Sequence, residues 1–453
     1  MSAHSNVIEA EYALLGGLVY DNKRIDAVAD VLAVADFADP YLGHVFGLIV
    51  SEYSQGRAAN PITLRPLLGG TDSYAAVGGD AFLASMIVNG AGVPAFDTAQ
   101  MIVRTAKRRR LVEGLTASAD LAKDGTATVA EIVDAADSAI VTATFDAESA
   151  VELTGAACVA KLMNSFGQPK KGVKCGVIGP MDQLLGPLRK KQLVILAARP
   201  GMGKTAAALS YTLGAAQAGH GVLFVSLEMG GEELASRMAG DLCFNGRSGV
   251  PLDDILADDP TPSTIRAVGQ AMGMLEDMPV SIVDTGKLTI GRLGMMVRRH
   301  ARRMSAKGHE LELVVIDYLQ LLSPDTKGRS NYEAVSEISR GLKAIAKDAG
   351  VAILALAQLS REVEKRTDRR PQLSDLRDSG QIEQDADAVV FLVREEYYLR
   401  QNEPEEGSAE RHDWEQALAA VENQIEFICA KRRNGRIGSA KGQFFTRFQA
   451  VRG

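Results

Sequence analysis

The sequence predicts an α/β fold, a mostly parallel sheet flanked by helices and preceded by an all-helical N-terminal region. Three observations carry this expectation. Short β-branched runs at residues 193–198, 222–227, 313–316, 351–357 and 389–393 alternate with helical stretches, the pattern of parallel strands joined by crossover helices. The first run leads straight into a glycine-rich turn ending in Gly203-Lys204-Thr205 and then into a helical segment. Within residues 1–110, by contrast, apolar side chains recur at three- and four-residue spacing, in 10–18, 25–32, 42–52 and 62–68, which is the helical period.

At 453 residues the chain exceeds what one hydrophobic core organises, so two or three domains are expected. We divide it into a helical N-terminal domain (1–110), a helical hairpin and linker region (111–174) and an α/β domain (175–453). The basic run Lys107-Arg108-Arg109-Arg110 is read as a solvated helix face opening the second region. Hydrophobic residues make up 46% and charged residues 24%, an ordinary globular composition, and no apolar run approaches the roughly 20 residues of a membrane helix. The first residues, MSAHSNVIEAEY, lack the basic and apolar segments of a secretory signal. A soluble, cytoplasmic protein with no membrane partner is the expectation.

Cys158, Cys175, Cys243 and Cys429 are widely spaced, which suits reduced, buried thiols rather than a zinc or disulfide framework. The six histidines form no metal-ligand cluster, so a metal is expected to arrive with a nucleotide. A net charge of −7 argues against coating duplex DNA by bulk attraction, while leaving room for a locally basic channel.

The chemistry-bearing residues fall after the predicted strands, where ligands of such sheets gather. Residues 198–205 read Ala-Arg-Pro-Gly-Met-Gly-Lys-Thr, a phosphate-binding loop with Ala198 in place of the first glycine. Pro200, Gly201, Met202, Gly203, Lys204 and Thr205 are the expected nucleotide contacts: backbone N–H groups and Lys204 on the phosphates, the Thr205 hydroxyl on Mg²⁺. Glu228 follows the second strand and is a candidate general base for an attacking water, although a lone glutamate there is ordinarily just solvated. Asp317 ends an apolar strand and would complete the Mg²⁺ shell; capping a helix is its competing role. Gln358 ends a fourth strand and is a candidate sensor of the γ-phosphate. The polar stretch 360–380, with Arg377 and Gly380, offers contacts to a nucleic-acid backbone but no aromatic for base stacking. Finally, residues 425–430 form a strand running into Lys431-Arg432-Arg433-Asn434-Gly435. Asn-Gly signals a hairpin turn, and alternation along the strand puts Lys431 and Arg433 on one face, a presentation that suits fingers entering a neighbouring subunit's ATP site, with solubilising charges on a hairpin as the competing role.

Taken together and in order, 197–205, 226–229, 314–321, 354–361, 373–387 and 431–438 resemble the successive motifs of DnaB-type replicative helicases. Glu9-Ala10-Glu11, Leu14-Leu15-Gly16-Gly17-Leu18 and His44-Val45-Phe46 are similar to that family's N-terminal domain. The resemblance implies a RecA-like P-loop motor domain, a helical N-terminal domain and a linker helix, assembled as a homohexamer around single-stranded DNA. It implies ATP-driven unwinding in the 5′ to 3′ direction, with primase and a helicase loader as partners. By position, Glu228 is the catalytic base, Asp317 the Walker B acid, Gln358 the sensor, Lys431 and Arg433 the residues acting in trans, and Arg377, Asp378 and Gly380 the DNA contacts. Asp378 stands where the family commonly has glutamate, and the lead-in 180–191 is looser than usual, which suits a diverged, phage- or plasmid-like member. The alternative is a RecA-like recombinase or other RecA-fold ATPase that does not unwind DNA.

Overall fold

The computed structural model describes residues 3–29, 31–69, 72–144, 155–164, 166–167, 171–324, 331–366, 368–376 and 380–453. The chain divides into two compact units, Met1–Phe166 and Gly167–Gly453, so the division expected at 174 falls eight residues earlier, at 166.

The first unit is helical. Helices Ala3–Tyr20, Pro40–Ser54, Pro61–Leu68 and Asp80–Gly90 enclose a core of Leu14, Leu18, Val45, Ile49, Leu64 and Met86. Two of them touch backbone to backbone. A Cβ at Gly16 would lie 1.8 Å from the Met86 carbonyl oxygen, and one at Gly90 would lie 2.2 Å from the Gly17 nitrogen. The glycines of the Leu-Leu-Gly-Gly-Leu sequence are therefore packing residues. Asp39 caps the Pro40–Ser54 helix by accepting from the Tyr41 and Leu42 N–H groups, a contribution of about 1 kcal/mol. Glu11, fully buried, accepts from the Ala38 and Asp39 N–H groups, and its burial pushes its pKa up against those hydrogen bonds.

The helix Ala95–Lys123 runs unbroken through residue 110, where the N-terminal domain is expected to end. It pairs with Val129–Thr144, where a Cβ at Gly114 would sit 2.4 Å from that of Ala139. Half of the basic run in its middle is turned inward, while Arg108 is exposed. Arg109 donates to the Asp36 and Phe37 carbonyls, and Arg110 donates to the Ala35 carbonyl while pairing with Asp36. Two of the four cations thus staple the turn at 35–37 to the long helix.

The second unit is a doubly wound sheet. Its strands are β1 (Leu193–Ala198), β2 (Gly221–Ser226), β3 (Val280–Asp284), β5 (Leu311–Asp317), β7 (Ala352–Gln358), β8 (Ala388–Val393), β9 (Gln424–Arg432), β10 (Gly438–Phe445) and β11 (Ala450–Arg452). The short β4 (Leu288–Thr289) and β6 (Leu322–Ser323) form a separate parallel pair. The large sheet has the order β11-β10-β9-β8-β1-β7-β5-β2-β3. Strands β8 to β3 in that order are parallel, and β9, β10 and β11 add an antiparallel edge. Strands β1 and β2 are buried along their whole length, as expected where helices cover both faces. No described helix is long and apolar enough to cross a membrane.

Replacing Gly16 by alanine forces the two N-terminal helices apart. We expect a loss of about 1–3 kcal/mol in the stability of the first unit, read as a lower midpoint in chemical denaturation. An unchanged midpoint would remove the close helix contact as a structural requirement.

Candidate active site

Register brings the site together. Strand β7 lies between β1 and β5, and Ala198 stands opposite Gln358 while Ser226 stands opposite Asp317. Because the four strands are parallel, their carboxyl ends share one edge, and neighbouring ends lie only about 5 Å apart. Residues distant in sequence thereby surround one cavity of about 530 Å³, lined by Gly201, Gly203, Lys204, Thr205, Glu228 and Gln358 among others.

The turn after β1 wraps into the helix Lys204–Gln217. Gly201 and Gly203 have φ of +80° and +84°, in the left-handed region that glycine tolerates. Space is as tight as the backbone: a Cβ at Gly201 would lie 2.5 Å from the Tyr397 ring and one at Gly203 2.7 Å from the Phe444 ring. Met202 turns into the core, 1% exposed, so only its backbone is available to a ligand. The helix start supplies unpaired N–H groups and a dipole favouring anions.

Asp317 is completely buried. Its Oδ2 accepts from the Thr205 hydroxyl at 2.6 Å, and its Oδ1 lies 3.7 Å from the Lys204 ammonium without accepting a hydrogen bond. Lys204 also lies over the Tyr318 ring, 4.4 Å from its centroid. Burial pushes the Lys204 pKa down, and the carboxylates of Asp317 and Glu228 act in the opposite direction. A buried carboxylate oxygen with no donor, beside a threonine hydroxyl, is the hard-oxygen donor set that Mg²⁺ takes, so these residues fit the ion. Glu228 sits exposed beyond β2, facing the same cavity. Gln358 is half-buried, and its side chain borders both this cavity and a second one of about 940 Å³ reaching Ser360 and Arg361.

Three residues that the sequence reading passed over support the loop. Arg199, 8% exposed, donates to the Leu359 carbonyl and pairs with Glu364. Arg394 donates to the Gly201 carbonyl and lies over Phe444. Phe444, on β10, forms the wall behind Gly203.

Lys431 and Arg433 lie elsewhere. Arg432 pairs with Ala388, the first residue of β8, which is level with Val194 near the start of β1. These cations therefore occupy the end of the sheet opposite the phosphate loop. Lys431 donates to the Glu383 carbonyl and Arg433 to that of Gln384, at the carboxyl end of the helix Gly380–Asp385, while Arg432 turns the other way to the Leu184 and Leu185 carbonyls. Lys431 and Arg433 do share a face, as alternation requires, but they are folded back rather than projecting. The connection from β9 to β10 spans residues 433–437, longer than a two-residue Asn-Gly turn. Gly380 opens its helix and is exposed; Arg377 and Asp378 lie outside the described residues. Among the described residues no cluster of His, Cys, Asp and Glu could hold a metal by itself. Cys175 and Cys429 are buried and free, Cys243 is half-buried and free, and Cys158 lies outside the described side chains.

Substituting Gly203 by alanine puts a methyl group against Phe444 at a φ unfavourable to alanine. Nucleotide affinity should fall at least about tenfold in a fluorescent-nucleotide titration; affinity equal to the parent chain would show that the loop does not need this geometry to bind.

Residues 3–105 match the DnaB-like helicase N terminal domain family and residues 172–452 the DnaB-like helicase C terminal domain family. The replicative DNA helicase DnaB of Rickettsia prowazekii (strain Madrid E) is 32% identical, over 97% of this chain and 93% of that protein. The DnaB of Leifsonia xyli subsp. xyli is 34% identical over 96% and 91%, and that of Geobacillus stearothermophilus 30% identical over 97% and 93%. A solved DnaB-like replicative helicase, whose interactions with primase were determined with it, superposes with a TM-score of 0.63 at 26% identity, covering 98% of both chains. With both domains matched in order and a site of this form at the sheet edge, the chain belongs to the DnaB-like replicative DNA helicase family.

Proposed function

We propose that this chain is one subunit of a homohexameric ring that hydrolyses ATP at its subunit interfaces and uses the energy to move 5′ to 3′ along single-stranded DNA, parting the duplex ahead. Membership of the family makes it an ATP-dependent DNA helicase; the assignments to residues are ours. The observation that carries them is the separation within one sheet. Lys204, Thr205, Glu228, Asp317 and Gln358 share one edge, while Lys431 and Arg433 stand at the other.

Each residue's task follows from its environment. The N–H groups at the start of the Lys204–Gln217 helix and the Lys204 ammonium hold the phosphates, and a triphosphate's charge favours the protonated form that burial of Lys204 opposes. The Thr205 hydroxyl and the free Oδ1 of Asp317 hold Mg²⁺. When bound, Mg²⁺ neutralises charge that builds on the phosphate oxygens. Glu228, exposed at the cavity, orients the attacking water and takes its proton. Gln358 contacts the γ-phosphate and registers its loss. Because β9 places Lys431 and Arg433 some four residues of strand from the loop of their own chain, roughly 13 Å, they serve the nucleotide of a neighbour. Their present anchors are backbone carbonyls at a helix end and, for Arg433, the Asp387 carboxylate 3.6 Å away, which a neighbour's phosphate can replace. Arg377, Asp378 and Gly380 contact the DNA backbone. Primase and a loader are the expected protein partners, and the cytoplasm the place of work.

Two predictions test this. Lys204→Ala and Glu228→Gln should each lower DNA-stimulated ATP turnover by at least about a hundredfold, the first with lost nucleotide binding and the second with binding retained; full activity in Lys204→Ala would contradict the assignment. Neither Arg433→Ala subunits nor Lys204→Ala subunits should hydrolyse ATP efficiently alone. Mixed rings should recover part of the activity, because some interfaces then pair an intact loop with an intact finger. No recovery at any mixing ratio would count against action in trans.

A further inference from the structure

We infer that Gln320, on the turn after Asp317, is a positioning residue that holds the γ-phosphate sensor Gln358 in register and so links nucleotide state to DNA stimulation. The inference rests on the reading of Gln358 as that sensor. Its physical basis is a gap in the sheet. Pairing between β5 and β7 ends at Ile316 and Ala355, whereas pairing between β1 and β7 continues to Gln358. In a parallel strand the N–H and C=O of one residue face the same neighbour, and alternate residues face alternate sides. Leu359 directs its N–H to the Ala198 carbonyl and its carbonyl to Arg199, both on the β1 side. Gln358 therefore faces the β5 side, beyond the last β5 partner. There the Gln320 side chain completes the ladder: its Nε2 donates to the Gln358 carbonyl at 3.1 Å, and its Oε1 accepts from the Gln358 N–H at 3.2 Å.

An amide is suited to this task because it carries one donor and one acceptor side by side, the same pair a strand backbone offers. The segment it holds is stitched onward. Ser360 donates its N–H to the Asp375 carbonyl at 2.9 Å, and Leu359 forms a bridge with Leu376, the residue before the proposed DNA contacts Arg377 and Asp378. Gln320 is thus the Mg²⁺-side anchor of a strand end whose other anchors are the phosphate loop and the approach to the DNA segment. Gln320 also lines the second cavity, which Gln358 shares with the nucleotide cavity.

The test uses the full-length chain, ATP, and oligo(dT) as the single strand. Gln320→Met keeps the side chain's length and removes both hydrogen bonds. It should lower the DNA-stimulated kcat about tenfold, with the rate without DNA and the KM for ATP each within about twofold of the parent. Stimulation equal to the parent, or an equal loss with and without DNA, would overturn the inference. Gln320→Glu decides the case independently should the methionine variant fold poorly. An ionised glutamate still accepts from Gln358 N–H but opposes its carbonyl, whereas a protonated one donates to it. Its DNA stimulation, relative to the parent at the same pH, should recover as pH falls toward the carboxyl range, about 4 to 6; a flat profile would overturn the inference. Gln358→Ala separates the two ideas. If it keeps DNA stimulation, the sensor reading fails; if it loses stimulation while Gln320→Met keeps it, only the role of Gln320 fails.

Discussion

The buried carboxylate of Asp317 is the constraint on which the site depends. A carboxylate at zero exposure is stable only with compensating partners, since an isolated buried charge costs several kcal/mol. Here the partners are Thr205 and Lys204 from the phosphate loop, so the loop and the β5 end cannot separate without stranding a charge. Strand β7 lies between β5 and β1, and clamping its neighbours fixes where Gln358 emerges. The same contact leaves one oxygen of Asp317 without a hydrogen bond, a deficit that the proposed Mg²⁺ would relieve. Structure and chemistry therefore share one interaction.

The antiparallel edge does two jobs at opposite ends. At one end β10 presents Phe444 behind Gly203, and the segment after β8 presents Arg394 to the Gly201 carbonyl. At the other, β9 carries Lys431 and Arg433 away from the loop of their own chain. The proposed action in trans needs a cation that cannot satisfy its own site, and the reversal of strand direction at β8–β9 supplies that property. The helix Gly380–Asp385 runs from the proposed DNA contact Gly380 to the carbonyls that hold Lys431 and Arg433, the proposed fingers.

Much of the motor unit was legible in the sequence for a physical reason. Strands buried on both faces must be continuously apolar, so β1 is found at its observed bounds, and β2, β5, β7 and β8 within two residues at each end. Their polar terminal residues stand out against that background. Strands outside the doubly covered centre lack the signal: β3, at the edge, is partly exposed, and β10, Gly-Ser-Ala-Lys-Gly-Gln-Phe-Phe, contains two glycines and a lysine. Arg394 and Phe444 were missed because they meet the loop across some 190 to 240 positions, a proximity that the sheet order creates and local sequence does not encode. The basic run at 107–110 looked solvated because charge runs usually are, yet Arg109 and Arg110 find carbonyls some 70 residues upstream. The folding back of Lys431 and Arg433 depends on the helix end at 383–384 and had no local signature.

If hydrolysis at the Asp317 site drives strand separation, a forked duplex with ATP shows it. Displacement of the paired strand should require a free 5′ tail on the tracked strand and stop when ATP is replaced by a non-hydrolysable analogue. Vigorous ATP turnover on single strands with no strand ever displaced would contradict it and leave a RecA-fold ATPase without unwinding activity.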